Sequence, residues 1–317
     1  MPLDPHIAQL LQLTNAAPAL SAGSPAEARA ALRTLMVNFR DPASVVEVAA
    51  VEKGFAGGVP VRVYRPAADG PVGTLVYLHG GGFVVGDLDT HDNVCRRLCR
   101  DANAVVVSVD YRLAPEAAFP AAIEDSYAAL TWVVTHIADY GSAADRVVVG
   151  GDSAGGNLAA VCAQLALADD LPLAGQLLVY PAVDMAGEYN SRTENGEGYF
   201  LTLADVEWFA AHYTGITGGQ AALAEATVAE LAADPRLSPI RAASLQGLAP
   251  AVVATAEFDP LRDEGNAYAS ALEAAGVRVV HQQFAGLIHG FYGLEQFSPA
   301  VADATSWINA QAASLLA

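Results

Sequence analysis

The segment Gly151-Asp152-Ser153-Ala154-Gly155 lies between a strand-forming and a helix-forming stretch of the sequence. The preceding residues, 146–150, are rich in valine, and β-branched residues favour strands. The apolar residues 157–167 that follow predict a helix. A serine between two glycines at a strand-to-helix turn is the pattern of a nucleophile elbow, a strained turn that exposes the serine hydroxyl. The pattern therefore predicts Ser153 as a nucleophile, with glycines on both sides because strand and helix pass too closely for side chains.

A second glycine-rich segment, His79-Gly80-Gly81-Gly82-Phe83, directly follows the predicted strand 74–78. Three consecutive glycines allow backbone N–H groups to converge on one point, which suits the negative oxygen of a tetrahedral intermediate. A loop of this type accompanies the serine of the G-x-S-x-G turn. We expect the N–H groups of Gly81, Gly82 and Ala154 to bind that oxygen, and His79 to orient the loop rather than to exchange protons.

A nucleophilic serine needs an adjacent base, which is itself oriented by a carboxylate. In proteins with this type of elbow the chain order is serine, acid, histidine. Among the histidines after Ser153, His281 lies inside the predicted strand 277–284 and His212 inside an aromatic helical segment, so both are interpreted as structural. His289 follows that strand in a loop with glycines on both sides, and it is the predicted base.

The predicted acid is Asp259, which follows the predicted strand 251–255. Pro260 favours a turn from this strand into a helix. Asp263 would lie about one turn into that helix, facing away from the site or capping the helix. Asp184 also ends a predicted strand and is the main alternative acid.

From residue 74 onward, predicted strands alternate with predicted helices, as in a mainly parallel sheet covered by helices on both faces. The strands are expected near 74–78, 104–109, 146–150, 176–180, 251–255 and 277–284, and the helices near 92–102, 121–138, 154–168, 262–275 and 301–315. Upstream, 45–51 and 59–64 are predicted strands of a hairpin joined through the glycine-rich residues 54–58. Ligands on such sheets bind beyond the carboxyl ends of the strands, where all the predicted site residues fall.

Two parts of the chain stand outside this alternation. Residues 1–44 are predicted to be mainly helical, and residues 185–245 contain aromatic residues followed by an Ala-rich helical stretch. We expect both parts to form a helical cap over the site, with 45–184 and 246–317 as the two halves of the core. The alternative is a helical insertion that packs elsewhere. Since aromatic residues at helical spacing are commonly packing residues, none of them is assigned to the site.

The combination of motifs resembles the bacterial hormone-sensitive-lipase-like esterases, also called family IV. The similar segments are 79–82 (HGGG), 110–116 (DYRLAPE), 151–155 (GDSAG), the run from Glu194 to Tyr213, 259–263 (DPLRD) and 288–291 (IHGF). The resemblance extends from about residue 45 to the end, and it implies an α/β-hydrolase fold with a helical cap and carboxylesterase activity without metal or cofactor. It supports Ser153, Asp259 and His289 as the triad and Gly81, Gly82 and Ala154 as oxyanion donors. Phe83, where many members have Trp, is a departure that affects the acyl pocket.

The sequence thus predicts a serine carboxylesterase that hydrolyses short- to medium-chain acyl esters through an acyl-enzyme. An amidase or peptidase with the same triad is an alternative, because the triad does not separate esters from amides. A non-catalytic small-molecule receptor on the same fold is the other. The receptor is disfavoured because every triad position is filled, whereas such receptors typically lack a triad member.

Composition restricts the partners to be expected. The net charge of −19 disfavours nucleic acid and anionic membrane surfaces as partners. Cys95, Cys99 and Cys162 lack the pattern of a disulfide framework or a metal site and are expected to be small buried residues. The first twenty residues have no basic segment before an apolar core, and no apolar run is long enough to span a bilayer. We expect a soluble, cytoplasmic protein whose oligomeric state, a homodimer included, is left open.

Overall fold

A computed structural model describes residues 2–140, 142–216 and 230–317, and in these ranges the central element is an eight-stranded sheet. The strands are β1 (Ala50–Ala56), β2 (Val59–Arg65), β3 (Val72–Leu78), β4 (Val105–Val109), β5 (Ser142–Asp152), β6 (Gly175–Val179), β7 (Ala251–Phe258) and β8 (Val279–Ile288). Their order across the sheet is β1-β2-β4-β3-β5-β6-β7-β8. β2 is antiparallel to both of its neighbours, and all other adjacent pairs are parallel. The predicted mainly parallel sheet is confirmed.

Helices cover both faces of the sheet. The α-helices are α1 (Pro5–Thr14), α2 (Pro25–Arg33), α3 (Asp92–Asp101), α4 (Ala121–Thr135), α5 (Ala154–Ala168), α6 (Asn190–Glu194), α7 (Leu203–Thr214), α8 (Arg262–Ala274) and α9 (Pro299–Leu315). Short turns of 3₁₀ helix lie at Leu20–Ala22, Pro42–Ser44, Ile137–Tyr140 and Pro239–Arg241, and one π turn at Thr34–Asn38. Within the described ranges, no helix combines the length and apolarity needed to cross a membrane.

Alternating side chains of the strands separate the core into two layers. In β3, Val76 and Leu78 pack into the layer that contains α4, α5 and α8, whereas Leu75 and Tyr77 pack into the layer with α1, α3 and α9. This follows from the two-residue period of a strand, which sends successive side chains to opposite faces. The two layers bury the three unpaired cysteines as well, as the sequence predicted.

The first hairpin differs from the prediction in its boundaries. β1 comprises residues 50–56, not 45–51, and the connection to β2 is the two-residue turn Gly57-Gly58. Both glycines have positive φ, 58° and 85°, the geometry of the tight turns that match strand twist. The apolar residues of 45–51 suggested a strand, but this turn fixes which residues pair, and β1 is an edge strand with mostly exposed side chains.

The other predicted strands and helices of the alternating part each overlap an observed element. β8 extends four residues beyond the predicted 284, to Ile288. Most of the Ala-rich stretch that was predicted to be helical lies outside the described residues. The carboxyl ends of β3, β5, β7 and β8 carry Leu78, Asp152, Phe258 and Ile288, so the residues that follow these four strands share one edge of the sheet.

The backbone is most closely packed where the turn from β5 to α5 passes the end of β3. A Cβ atom at Gly155 would overlap the carbonyl oxygen of Leu78, and one at Gly151 would overlap the same oxygen. This oxygen belongs to the backbone, so it cannot rotate away as a side chain could. The glycines on both sides of Ser153 are therefore required by packing, as the sequence predicted.

Gly155→Ala tests this close approach. Alanine normally favours a helix over glycine by about 1 kcal/mol, but the overlap with Leu78 opposes this gain. We expect the free energy of unfolding, measured by urea denaturation, to fall by about 2 kcal/mol. Gly70→Ala is the control, because nothing lies within 4 Å of the added methyl group. Equal stability of Gly155→Ala and the unaltered protein would contradict the packing argument.

Candidate active site

Ser153 occupies the sharp turn between β5 and α5. Its φ of 55° and ψ of −119° are unusual for a residue with a side chain, so the backbone here is strained. The strain is held from both sides: Ser153 N–H donates to Val179 O at 2.8 Å, and Ser153 O accepts the N–H of Asn157 at 3.0 Å. The turn therefore has the conformation expected of a nucleophile elbow.

The structure brings Ser153, His289 and Asp259 together in one chain of hydrogen bonds. His289 Nε2 lies 2.9 Å from Ser153 Oγ, and His289 Nδ1 lies 2.8 Å from Asp259 Oδ2. A carboxylate only accepts hydrogen bonds, so Nδ1 carries the proton and Nε2 is free to accept the proton of the serine hydroxyl. Asp259 is fully buried, and its other oxygen, Oδ1, accepts the N–H of Leu261 at 2.7 Å. This is the arrangement of a serine activated by an oriented imidazole.

The two alternative carboxylates are engaged elsewhere. Asp184 is buried and paired with Arg241, whose Nε lies 2.6 Å from Oδ1, and it accepts the hydroxyl of Tyr189 at 2.8 Å. Asp263 accepts the backbone N–H of Ser191 at 2.9 Å. Neither carboxylate contacts His289.

The remaining candidate histidines have the structural positions that were expected. His281 is exposed on the edge strand β8, and His212 packs edge-on against Trp208 with ring centroids 4.4 Å apart. His79 is fully buried below the glycine loop. Its Nδ1 lies 2.8 Å from Gly80 O, and its ring stacks on Tyr111 at 4.3 Å. Burial and the neighbouring His91 lower the pKa of His79 to about 4, so its side chain is neutral near pH 7 and helps to hold the loop.

The glycine loop folds back on itself at Gly81, whose carbonyl accepts the N–H groups of Val84 and Val85 at 3.0 and 2.9 Å. Gly81 and Gly82 have positive φ values of 120° and 56°, which glycine adopts without strain. Within the described residues, the N–H groups of Gly81, Gly82 and Ala154 have no hydrogen-bond acceptor. All three therefore have donor capacity for a ligand atom.

Asp152 links this loop to the elbow, although it was not identified from the sequence. Its Oδ1 accepts the hydroxyl of Tyr77 at 2.7 Å and the N–H of Gly80 at 3.0 Å, and lies 3.4 Å from His91 Nε2. Burial raises the pKa of Asp152, but the combined effect of His91, Tyr77 and Gly80 lowers it below its usual value. The charged carboxylate of Asp152, the residue before Ser153, is thus hydrogen-bonded to Gly80, the residue before Gly81.

A cavity of about 380 Å³ lies against Ser153 and His289. Its wall is mainly apolar, and three parts of the chain contribute many of the apolar residues: the N-terminal segment (Leu20, Leu32, Met36), the loop residue Phe83, and the segment before and within α7 (Phe200, Leu201, Leu203, Val206, Phe209). No aromatic residue of 185–245 was predicted to belong to the site, yet Phe200 and Phe209 line this cavity. An apolar helix face was the available signal, but spacing alone does not distinguish a face that packs from one that lines a cavity.

One polar pair also contributes to the cavity wall. Arg192 Nη2 lies 2.7 Å from Glu264 Oε2, and Glu264 is buried. Burial raises the pKa of Glu264 to about 7, although Arg192 and the backbone N–H groups of Val183 and Asp184 act in the opposite direction. The pair fixes the loop after β6 to the start of α8, and neither member lies in the chain of bonds at Ser153.

Comparisons with known proteins agree with this geometry. A family model described as alpha/beta hydrolase fold matches residues 75–293. The chain is 48% identical over 260 residues to the carboxylic ester hydrolase LipN of Mycobacterium tuberculosis, covering 80% of this chain and 66% of that protein. It is 42% identical over 238 residues to an ethyl acetate hydrolase of Pseudomonas putida, covering 74% and 71% of the two chains.

A solved structure is similar over almost the entire length. The ester-hydrolase EH1AB1 from the metagenome of Lake Arreo, solved with a bipyridine phosphonate derivative, has a TM-score of 0.88 at 39% identity, covering 98% of both chains. The matching family model, the relatives that are ester hydrolases and the eight-stranded fold all indicate the same family. The chain belongs to the α/β-hydrolase family, and within it to the hormone-sensitive-lipase-like (family IV) esterases.

Proposed function

We propose that the protein hydrolyses carboxylic esters of short- to medium-chain acyl groups, with Ser153, His289 and Asp259 as its catalytic triad. The observation that carries this proposal is the unbroken hydrogen-bond chain from Ser153 Oγ through His289 to Asp259, at the wall of an apolar cavity. The proposed substrate is a small-molecule ester. The ester hydrolases among the relatives support the bond type, and the ethyl acetate hydrolase supports a small acyl group.

In the acylation half-reaction, Ser153 Oγ attacks the ester carbonyl carbon while His289 Nε2 takes the hydroxyl proton. Asp259 stabilises the imidazolium that forms and keeps the ring in the correct orientation. The carbonyl oxygen becomes negative and is bound by the N–H groups of Gly81, Gly82 and Ala154. When the tetrahedral intermediate collapses, Nε2 gives its proton to the leaving alcohol oxygen.

Deacylation repeats these steps with water as the nucleophile. His289 Nε2 takes a proton from water as its oxygen attacks the acyl carbon, and the same N–H groups bind the oxyanion. The intermediate then releases the carboxylic acid and returns the proton to Ser153 Oγ. No group outside the three side chains and the backbone donors is needed for either half-reaction.

Residues 1–44 and 185–245 are proposed to form a cap over this site, with 45–184 and 246–317 as the core. The support is that side chains of both segments line the cavity beside Ser153. Ser21 N–H donates to Asp205 Oδ1 at 2.8 Å, so the two segments also contact each other. We propose a cytoplasmic location, which fractionation would test, and sedimentation would distinguish a monomer from a homodimer.

Ser153→Ala should remove covalent catalysis and lower kcat on the order of 10⁴-fold or more. A phosphonate inhibitor should add its mass to the single peptide that contains Ser153, which mass spectrometry would detect. Ser126→Ala is the control, since Ser126 is buried in α4 and donates to Ala122 O at 2.6 Å, away from the site. An active Ser153→Ala variant, or labelling at a different serine, would overturn the assignment.

Asp259→Asn should lower kcat on the order of 10⁴-fold, because an amide at this position favours the wrong imidazole tautomer. Asp184→Asn removes a charge of similar burial that is paired with Arg241 and does not contact His289. This control should lower stability but retain most of kcat. Steady-state kinetics on both variants decides the point, and the reverse order of effects would make Asp184 the acid.

The finite volume of the apolar cavity predicts an optimum in acyl chain length. Each added CH₂ stabilises binding by about 0.8 kcal/mol while there is room to bury it, and later ones must remain in water or strain the packing. We expect kcat/KM on p-nitrophenyl esters to be highest at roughly four to eight acyl carbons, the range that the resemblance to family IV esterases implies, and then to fall. Rapid hydrolysis of emulsified long-chain triglycerides would contradict this expectation.

A further inference from the structure

Phe83, which follows the loop residue Gly82, has a left-handed backbone conformation with a φ of 64°. A bulky side chain is rarely found there, because its Cβ crowds the neighbouring carbonyl oxygen. Such a conformation persists only when the surrounding structure holds it. The backbone contributes one contact, from Ala114 N–H to Phe83 O at 2.9 Å. The side chain of Phe83 needs a support of its own.

That support is the ring of Tyr213, in the last turn of α7. The two rings are stacked with centroids 3.8 Å apart and an angle of 7° between their planes. Tyr213 is fully buried and does not line the cavity, so it has no direct route to a substrate. Its hydroxyl has no hydrogen-bond partner among the described residues. The aromatic face of Tyr213, and not its hydroxyl, therefore makes the contact.

The same helix also contacts Gly82 directly. A Cβ atom at Gly82 would overlap the ring of Phe209, one turn before Tyr213 in α7. Thus α7 supports two successive residues of the loop, both in left-handed conformations. A change of φ at Phe83 would swing the peptide that joins it to Gly82 and would carry Gly82 along, so Gly82 N–H would lose its direction.

We propose that Tyr213 is a positioning residue for the ester-hydrolysis reaction, because its ring holds Phe83 in the left-handed conformation that directs Gly82 N–H toward the oxyanion. This inference rests on the proposed function, since it assigns Gly82 as an oxyanion donor. The oxyanion exists only in the transition state and the tetrahedral intermediate. Loss of the support therefore lowers kcat and leaves KM nearly unchanged.

The central test compares Tyr213→Phe with Tyr213→Leu. Tyr213→Phe keeps the aromatic face and should retain kcat, whereas Tyr213→Leu should lower kcat roughly tenfold with KM within about twofold. A trifluoromethyl ketone that adds to Ser153 forms the same oxyanion, so its inhibition constant should rise by the factor by which kcat falls. A merely structural role would change the melting temperature and leave kcat and this constant unaltered, which would overturn the proposal.

Phe119→Leu is the matched control, because the Phe119 ring also contacts Tyr213, edge-on with centroids 5.9 Å apart, and does not line the cavity. It should lower stability and retain kcat; an equal loss of kcat would overturn the proposal. If Tyr213→Leu does not fold, Tyr213→Met fills similar space without an aromatic face and replaces it.

A double-mutant cycle then tests whether Tyr213 acts through Phe83. In Phe83→Leu the ring partner is already absent, so adding Tyr213→Leu should lower kcat by no more than about twofold further. Additive losses would show that Tyr213 acts by another route. An active Ser153→Ala variant would instead refute the proposed function. If Ser153→Ala is inactive and Tyr213→Leu has an unaltered kcat, only this inference is refuted.

Discussion

The carboxylate of Asp152 joins the two loops that form the proposed reaction centre. Asp152 ends β5, next to Ser153, and it accepts the N–H of Gly80 from the loop that follows β3. A buried carboxylate is stable only when donors surround it, and Tyr77 and His91 supply the others. The distance between Ser153 and the N–H groups of the glycine loop is thereby fixed by one side chain instead of by two independently flexible loops.

A second buried carboxylate, Asp259, has a different task with the same physical requirement. Its Oδ1 is satisfied by Leu261 N–H, so Oδ2 remains directed at His289 Nδ1. Asp259 is fully buried and directly follows β7, so its position is fixed. The imidazole of His289 is therefore held in one position and one tautomer. The rival Asp184 also follows a strand, but Arg241 neutralises it at a distance from the imidazole.

The parts of the site that sequence reasoning located are those fixed by local chemistry. The glycines on both sides of Ser153, and Gly81 in the loop after β3, are dictated by backbone contacts, and they are therefore visible in the sequence. The choice between Asp259 and Asp184 remained open until the structure placed one beside His289. Phe209 was missed because its contact with Gly82 depends on where α7 packs. The boundaries of β1 were misplaced because the paired residues follow from the Gly57-Gly58 turn and not from apolar content.

Helix α7 connects the shape of the cavity to the geometry of the loop. Leu203 and Val206 line the cavity, Phe209 lines it and lies against Gly82, and the Tyr213 ring stacks on Phe83. A displacement of this helix would therefore change the volume available to the acyl group and the direction of the oxyanion donors together. Substitutions that enlarge the cavity by moving α7 should carry a penalty in kcat, whereas those that shorten side chains of the N-terminal wall should not, because the atoms nearest to a Cβ at Gly82 belong to Phe209 of α7.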